Sequence, residues 1–198
     1  RYDIDYLMLT HLHTDHATGV ERLLNLMNVK TVIMPDNAED TSGDGMLDEI
    51  IGAAEKNGTK IVYITQDTDF TAGDIRLSVY ESSDLGARDE SGIMSTVSVG
   101  DYDMLVTGDV EKVVERELVR EHDLSGTELL IVPHHGSKYS TSDELLSAIR
   151  PETAVISTGY NKYGHPTQET LDILEKYNVN VLRTDKLGRV VLHISAGD

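Results

Sequence analysis

The chain has 198 residues, 39% of them hydrophobic and 26% charged, with no cysteine and a formal net charge of −18. That composition is globular, excludes disulfides and thiolate zinc sites, and disfavours indiscriminate binding to phosphate backbones. No run approaches the roughly 18 apolar residues of a spanning helix, so no membrane contact is expected from this segment itself.

Short apolar runs alternate with amphipathic stretches, which predicts a layered α/β fold. Ile4–Leu9 reads as a strand and Gly19–Met27 as a helix, with Val20, Leu23, Leu24 and Met27 on one face. A strand at Thr31–Met34 leads through an acidic loop to a helix over Met46–Lys56, terminated by Gly58. Asp40, Ser42, Asp44 and Gly45 resemble the start of an EF-hand loop. Its twelfth position is Ile51 rather than Glu, so calcium is not expected there. Lys60–Ile64 is predicted as a strand, and Ile75–Tyr80, Met94–Val99 and Tyr102–Thr107 as antiparallel strands. A helix over Val110–Glu121 and a strand over Glu128–Val132 follow. Then come a helix near Ser142–Ile149, capped by Ser142 or Asp143, a strand at Thr153–Ser157 and a helix over Gln168–Lys176. Val179–Arg183 and Arg189–Ile194 read as closing strands. With no linker or repeat, residues 1–198 are expected to form one domain.

Four of these strands run directly into polar clusters at their carboxyl ends, where α/β sheets bind ligands. The clusters hold six of the eight histidines, so they are expected to converge. His11-Leu12-His13-Thr14-Asp15-His16 places four ligand-type side chains in six residues. In extended backbone His11 and His13 share a face, while Asp15 and His16 can serve a second ion. Gly108-Asp109 supplies a carboxylate able to ligate two metals, beside a residue with no Cβ to obstruct close approach. Within Pro133–Ser137, adjacent histidines of an extended chain point apart, so one of His134 and His135 is a ligand and the other a donor to substrate. His165, before Pro166, adds an imidazole at the edge. Ser137 and Lys138, following the double histidine, read as substrate-binding. His122, near a helix end, and His193, in the last predicted strand, read as structural. No Gly-x-Ser-x-Gly elbow and no phosphate-cradling glycine loop with Lys occurs.

Together His11–His16, Thr107-Gly108-Asp109, Pro133–Lys138, Tyr163–Pro166 and Arg183-Thr184-Asp185 with Gly188 resemble the metallo-β-lactamase superfamily, and within it the ComEC-like hydrolase domains. The resemblance implies a four-layer αββα sandwich with two divalent metal ions, zinc first and manganese second. His11, His13, Asp15, His16, Asp109 and His135 would be the metal ligands. His134, His165 and Asp15 would be the catalytic groups, with His134 facing the substrate. It further implies hydrolysis of a phosphodiester, in DNA or a smaller molecule. A lactam, lactone or thioester hydrolase of the same fold is the nearest alternative. A metal-stabilised, non-enzymatic domain that binds DNA or a partner is the other. Flavodiiron relatives usually carry Glu where this chain has His13, which argues against an iron redox enzyme. Two departures stand out. The hairpin and Ile-Asp-x-Gly segment that usually open such domains have no counterpart, so an amino-terminally incomplete sandwich is expected. No histidine lies between Ala17 and Gly108, and Ser91–Thr96 occupies the place of that ligand, as in ComEC-like members.

Overall fold

A computed structural model describes residues 3–36, 45–82 and 92–194. Most of the acidic loop, including Asp40, Ser42 and Asp44, and also Ser91, lies outside the described residues. Within them the strands form two sheets. The first is parallel, in the order β1 (Asp3–Met8), β2 (Asn28–Pro35), β3 (Lys60–Ile64). The second has seven strands: β10 (Asn180–Arg183), β9 (Thr153–Ile156), β8 (Thr127–Ile131), β7 (Tyr102–Val106), β6 (Ile93–Val99), β5 (Ile75–Glu81) and β4 (Thr68–Ala72). Its β7–β10 half is parallel and its β4–β7 half antiparallel.

The alternation of side chains along each strand explains the layering. On β2, Val32 and Met34 face α2 (Val20–Leu26) and α3 (Met46–Asn57), whereas Ile33 faces the other way. Ile33 and Ile64 from the first sheet meet Val79 and Ile93 from the second, which stacks the sheets face to face. On the far side, Met94, Leu105 and Leu130 pack against α4 (Lys112–Glu121), α5 (Asp143–Ile149) and α6 (Gln168–Lys176). The order helix, sheet, sheet, helix is the αββα sandwich.

Gly58 ends α3 in the left-handed region at φ 70°, and Ser142 caps α5 by accepting a hydrogen bond from the Leu145 amide at 3.1 Å. Substituting Ser142 with Ala is expected to cost about 1 kcal/mol, measured as a lowered urea midpoint at unchanged slope.

Two departures from the sequence reading have physical reasons. β4 escaped prediction because Thr68–Ala72 is a polar edge strand with Phe70 as its one large apolar residue. It forms by pairing Phe70 with Leu77 across the Gly73-Asp74 turn. The closing strand predicted at Arg189–Ile194 is not a strand. Val191 and Leu192 are exposed and no strand among the described residues takes up their backbone groups, and β propensity expresses packing on a pleated surface rather than an intrinsic preference. His193, expected inside that strand, is exposed.

Candidate metal centre

The carboxyl ends of β1, β7, β8 and β9 deliver the site. After β1, the chain bends through His11–His13 into the single-turn helix α1 (Thr14–Ala17). The bend is held from the second sheet, where the Ile93 amide donates to the Thr10 carbonyl at 2.9 Å. Gly92 and Ile93 thus pack against the start of the histidine loop. A Cβ on Gly92 would lie 2.6 Å from the Thr10 carbonyl oxygen, and one on Gly108 2.9 Å from the Thr10 Cβ. Gly108, at φ 62°, lets β7 turn sharply and points Asp109 at the histidines.

The turn Pro133–Gly136 follows β8 and departs from the extended geometry expected of it. His134 and His135 both adopt left-handed backbone, at φ 49° and 54°, followed by Gly136 at 85°. Consecutive non-glycine residues there are strained and persist only where their surroundings enforce them. The His134 amide donates to the Gly108 carbonyl at 3.0 Å, and Gly136 packs where a Cβ would meet Pro166 at 2.6 Å. In consequence both imidazoles face Asp109. Their Nε2 atoms lie 3.9 Å (His134) and 3.8 Å (His135) from its carboxylate oxygens.

Six residues converge in two groups that share Asp109. In one, ligand atoms of Asp15, His16, Asp109 and His135 lie within 4.8 Å of one another; in the other, those of His11, His13 and Asp109 do. Asp109 Oδ1 is 3.3 Å from His16 Nε2, which is 3.3 Å from His135 Nε2, itself 3.3 Å from Asp15 Oδ2. Burial opposes ionisation of Asp109, but the hydrogen bond and charge of His16 outweigh it and bring the carboxyl down to about 2. Burial also lowers His16, yet Asp109 and Asp15 together raise it above the ordinary imidazole value. For His11, burial first and His16 second bring the pKa down to about 4, so this ring is neutral near pH 7.

The donor set fits divalent cations. His11 Nδ1 bonds the Thr10 hydroxyl at 3.0 Å, while its buried Nε2 has no hydrogen-bond partner. His135 Nδ1 lies 2.7 Å from the Ser157 carbonyl, so it carries the proton, and the Nε2 lone pair faces the cluster. Such outer hydrogen bonds are how ligand histidines are oriented.

The centre forms the floor of a cavity of about 500 Å³, with His134 and His165 on its wall. His165 packs edge-on to His134 at 5.6 Å between ring centres, and burial, then His134 and His135, lower its pKa. Ser137 and Lys138, expected to be substrate-binding, do not line this cavity. The left-handed turn carries the chain away. Ser137 is buried, its hydroxyl accepting from the Tyr139 amide, and Lys138 is exposed with its ammonium 5.1 Å from the Tyr139 ring. The sequence reading missed Asn161 and Thr184. Thr184 lies inside the Arg183-Thr184-Asp185 motif and Asn161 two residues before Tyr163–Pro166, but nothing in the local sequence marks either as a loop-holding group. His122 stays outside the centre, stacked on Tyr80 at 4.4 Å and 3.4 Å from Asp67.

A family model described as the metallo-beta-lactamase superfamily matches residues 1–160. The chain is 32% identical over 190 residues to ComE operon protein 3 of Bacillus subtilis, covering 94% of this chain and 24% of that protein. It is 27% identical to recombination protein 2 of Haemophilus influenzae, covering 94% and 22%. With competence protein ComA of Neisseria gonorrhoeae it shares 36% identity over 103 residues, 51% of this chain and 15% of that one. The chain therefore spans about a quarter or less of the length of these relatives. Among solved structures, CmlA, a diiron β-hydroxylase from Streptomyces venezuelae, superposes on 92% of this chain and 44% of its own. The TM-score is 0.61 at 14% identity, a likeness of fold alone.

Proposed function

The chain belongs to the metallo-β-lactamase superfamily, and from that premise we propose that it is a metal-dependent hydrolase of phosphodiester bonds, with DNA as the substrate class. The observation that carries the reading is the pair of ligand groups sharing one buried carboxylate at the floor of an open cavity. The names of the relatives, which speak of competence and recombination, support DNA as the substrate.

His11, His13 and Asp109 would hold one divalent ion, and Asp15, His16, Asp109 and His135 the other. Zinc suits this mixed imidazole and carboxylate set best, with manganese second. A divalent pair supplies Lewis acidity and lowers the pKa of water from 15.7 toward about 7. Asp15, an exposed member of the cavity lining, would orient an entering water. His134 and His165, which line the same cavity, would donate to the phosphoryl oxygens as negative charge builds.

The test is a panel of bis-p-nitrophenyl phosphate, an acetate ester, a lactam and DNA, assayed with zinc, with manganese and after chelation. Metal-dependent cleavage of the diester is expected. Cleavage of the ester or lactam alone would overturn the phosphodiester reading, and no cleavage of any substrate would overturn the hydrolase reading. His134→Ala is expected to keep its metal and lose about 10²–10³ in rate, the cost of one donor to the transition state. Metal loss in that variant would make His134 a ligand instead.

A further inference from the structure

The cavity wall beyond the metal centre is built from a loop that does little for the core. Residues 158–165 are held in place by two side chains, Asn161 within the loop and Thr184 at its base. Asn161 Nδ2 donates to the carbonyls of Gly159 at 2.9 Å and His165 at 2.7 Å, and its Oδ1 accepts from the amides of Tyr163 at 3.1 Å and His165 at 3.0 Å. The loop's base is tied to Thr184, whose hydroxyl accepts from the Thr158 amide at 2.8 Å and donates to the Thr158 carbonyl at 2.6 Å. This pinned loop presents two aromatic rings to solvent. Tyr160 is 106% exposed and Tyr163 70%, and both line the cavity. Single exposed aromatics are common, but two on one hydrogen-bonded loop beside a site form a surface waiting for a flat partner.

The rings also lead inward. Tyr163 is tilted over His165 at 5.9 Å, His165 packs on His134 at 5.6 Å, and His134 Nε2 is 3.9 Å from the Asp109 carboxylate. Charge decides what can use this track. No Lys or Arg lines the cavity among the described residues and the chain carries −18 overall, while Lys162, on the same loop, holds its ammonium 5.5 Å from the Tyr163 ring centre. A duplex gripped by its phosphates needs the opposite arrangement. Stacking uses an exposed base face, which a single strand offers and a duplex hides.

We infer that Tyr160 and Tyr163 form a stacking platform for the bases of single-stranded DNA flanking the scissile linkage, and that this site selects single strands over duplex. The inference rests on the phosphodiesterase reading and specifies its substrate.

The test is binding of a fluorescein-labelled oligothymidylate with phosphorothioate linkages, which resist cleavage, to the metal-supplemented chain. A phosphorothioate duplex of equal length is the comparison, and both are followed by anisotropy across a range of potassium chloride. The single strand is expected to bind more tightly than the duplex, with a shallow salt dependence. Tyr160→Ala and Tyr163→Ala are each expected to weaken single-strand binding by about 5- to 150-fold, and Tyr163→Phe to restore it. Equal affinity for duplex, unchanged binding by both alanine variants, or a steep salt slope would overturn the platform. Thermal melts of both variants identify any loss that comes from unfolding. Wild-type cleavage of bis-p-nitrophenyl phosphate is followed separately. If it occurs while the variants bind normally, only the platform fails; if it is absent while the tyrosines matter for binding, only the hydrolase reading fails.

Discussion

Replacing Asp109 with Ala is expected to empty both ligand groups and to reduce hydrolysis to background. Its carboxylate is the one member the two groups share, and it is 93% buried among the imidazoles, being 7% exposed. Held down to about 2, the carboxyl is ionised at every working pH. Removing it withdraws a ligand atom from each group and the negative charge that balances His16. The loss should therefore exceed the about 10²–10³-fold expected of a single transition-state donor. Asp109→Asn keeps the shape without the charge, so it should also lose metal, which separates coordination from packing. Metal analysis beside the rate decides the matter. Full metal and full activity in Asp109→Ala would place the chemistry elsewhere.

The second large effect lies outside the cavity. Glu115, on α4, is fully buried, and its two oxygens accept from the amides of Thr141 and Ser142 at 2.6 Å each. Those amides belong to the segment that joins the double-histidine turn to α5, with Thr141 at φ 59°. Glu115→Ala strands two buried donors, each costing about 1–3 kcal/mol, so a loss of about 2–6 kcal/mol is expected in urea unfolding. A loss under about 1 kcal/mol would mean that water replaces the carboxylate. Glu115→Gln should rescue only in part, because its amide nitrogen would face one of the two donors. Burial raises the Glu115 carboxyl above its ordinary value of 4.5, with the Ser142 and Thr141 hydrogen bonds opposing. The folded chain then holds this proton to higher pH than the unfolded chain does. The group's contribution to stability is full below about 4.5 and declines as pH rises toward the folded-state value. Comparing wild type with Glu115→Gln across that range isolates it.

Most of the architecture was legible because it rests on local patterns. The continuous apolar run Val32–Met34, buried on both faces of its sheet, and the helical spacing of Leu145, Leu146 and Ile149 survive into the layers. The six converging residues were legible for a topological reason, since each sits just past a strand's carboxyl end. What stayed hidden depends on non-local contacts. A left-handed pair at His134 and His135 is imposed by the Gly108 carbonyl and by Pro166, neither of them a sequence neighbour. Glu115 stands between Val114 and the rest of an amphipathic helix, and nothing adjacent shows that two amides wait beneath it. The 189–194 segment has the composition of a strand and no neighbour to pair with among the described residues.

The stacking of the two sheets has a mechanical consequence. Their inner faces touch through a small apolar contact, centred on Ile33, Ile64, Val79 and Ile93, while each sheet has a larger core against its own helices. His11, His13, Asp15 and His16 hang from the first sheet, whereas Asp109 and His135 hang from the second. Ions held between them would act as a rivet, joining the halves much as a crosslink joins distant parts of a chain. Occupancy would be felt as rigidity across the whole sandwich. At a free metal concentration of 100 times its dissociation constant, one such rivet adds about 2.7 kcal/mol by mass action alone. Chelation should therefore loosen the seam between the sheets before it disturbs either sheet, and amide exchange at Ile33 and Ile93 should quicken ahead of that at Leu130.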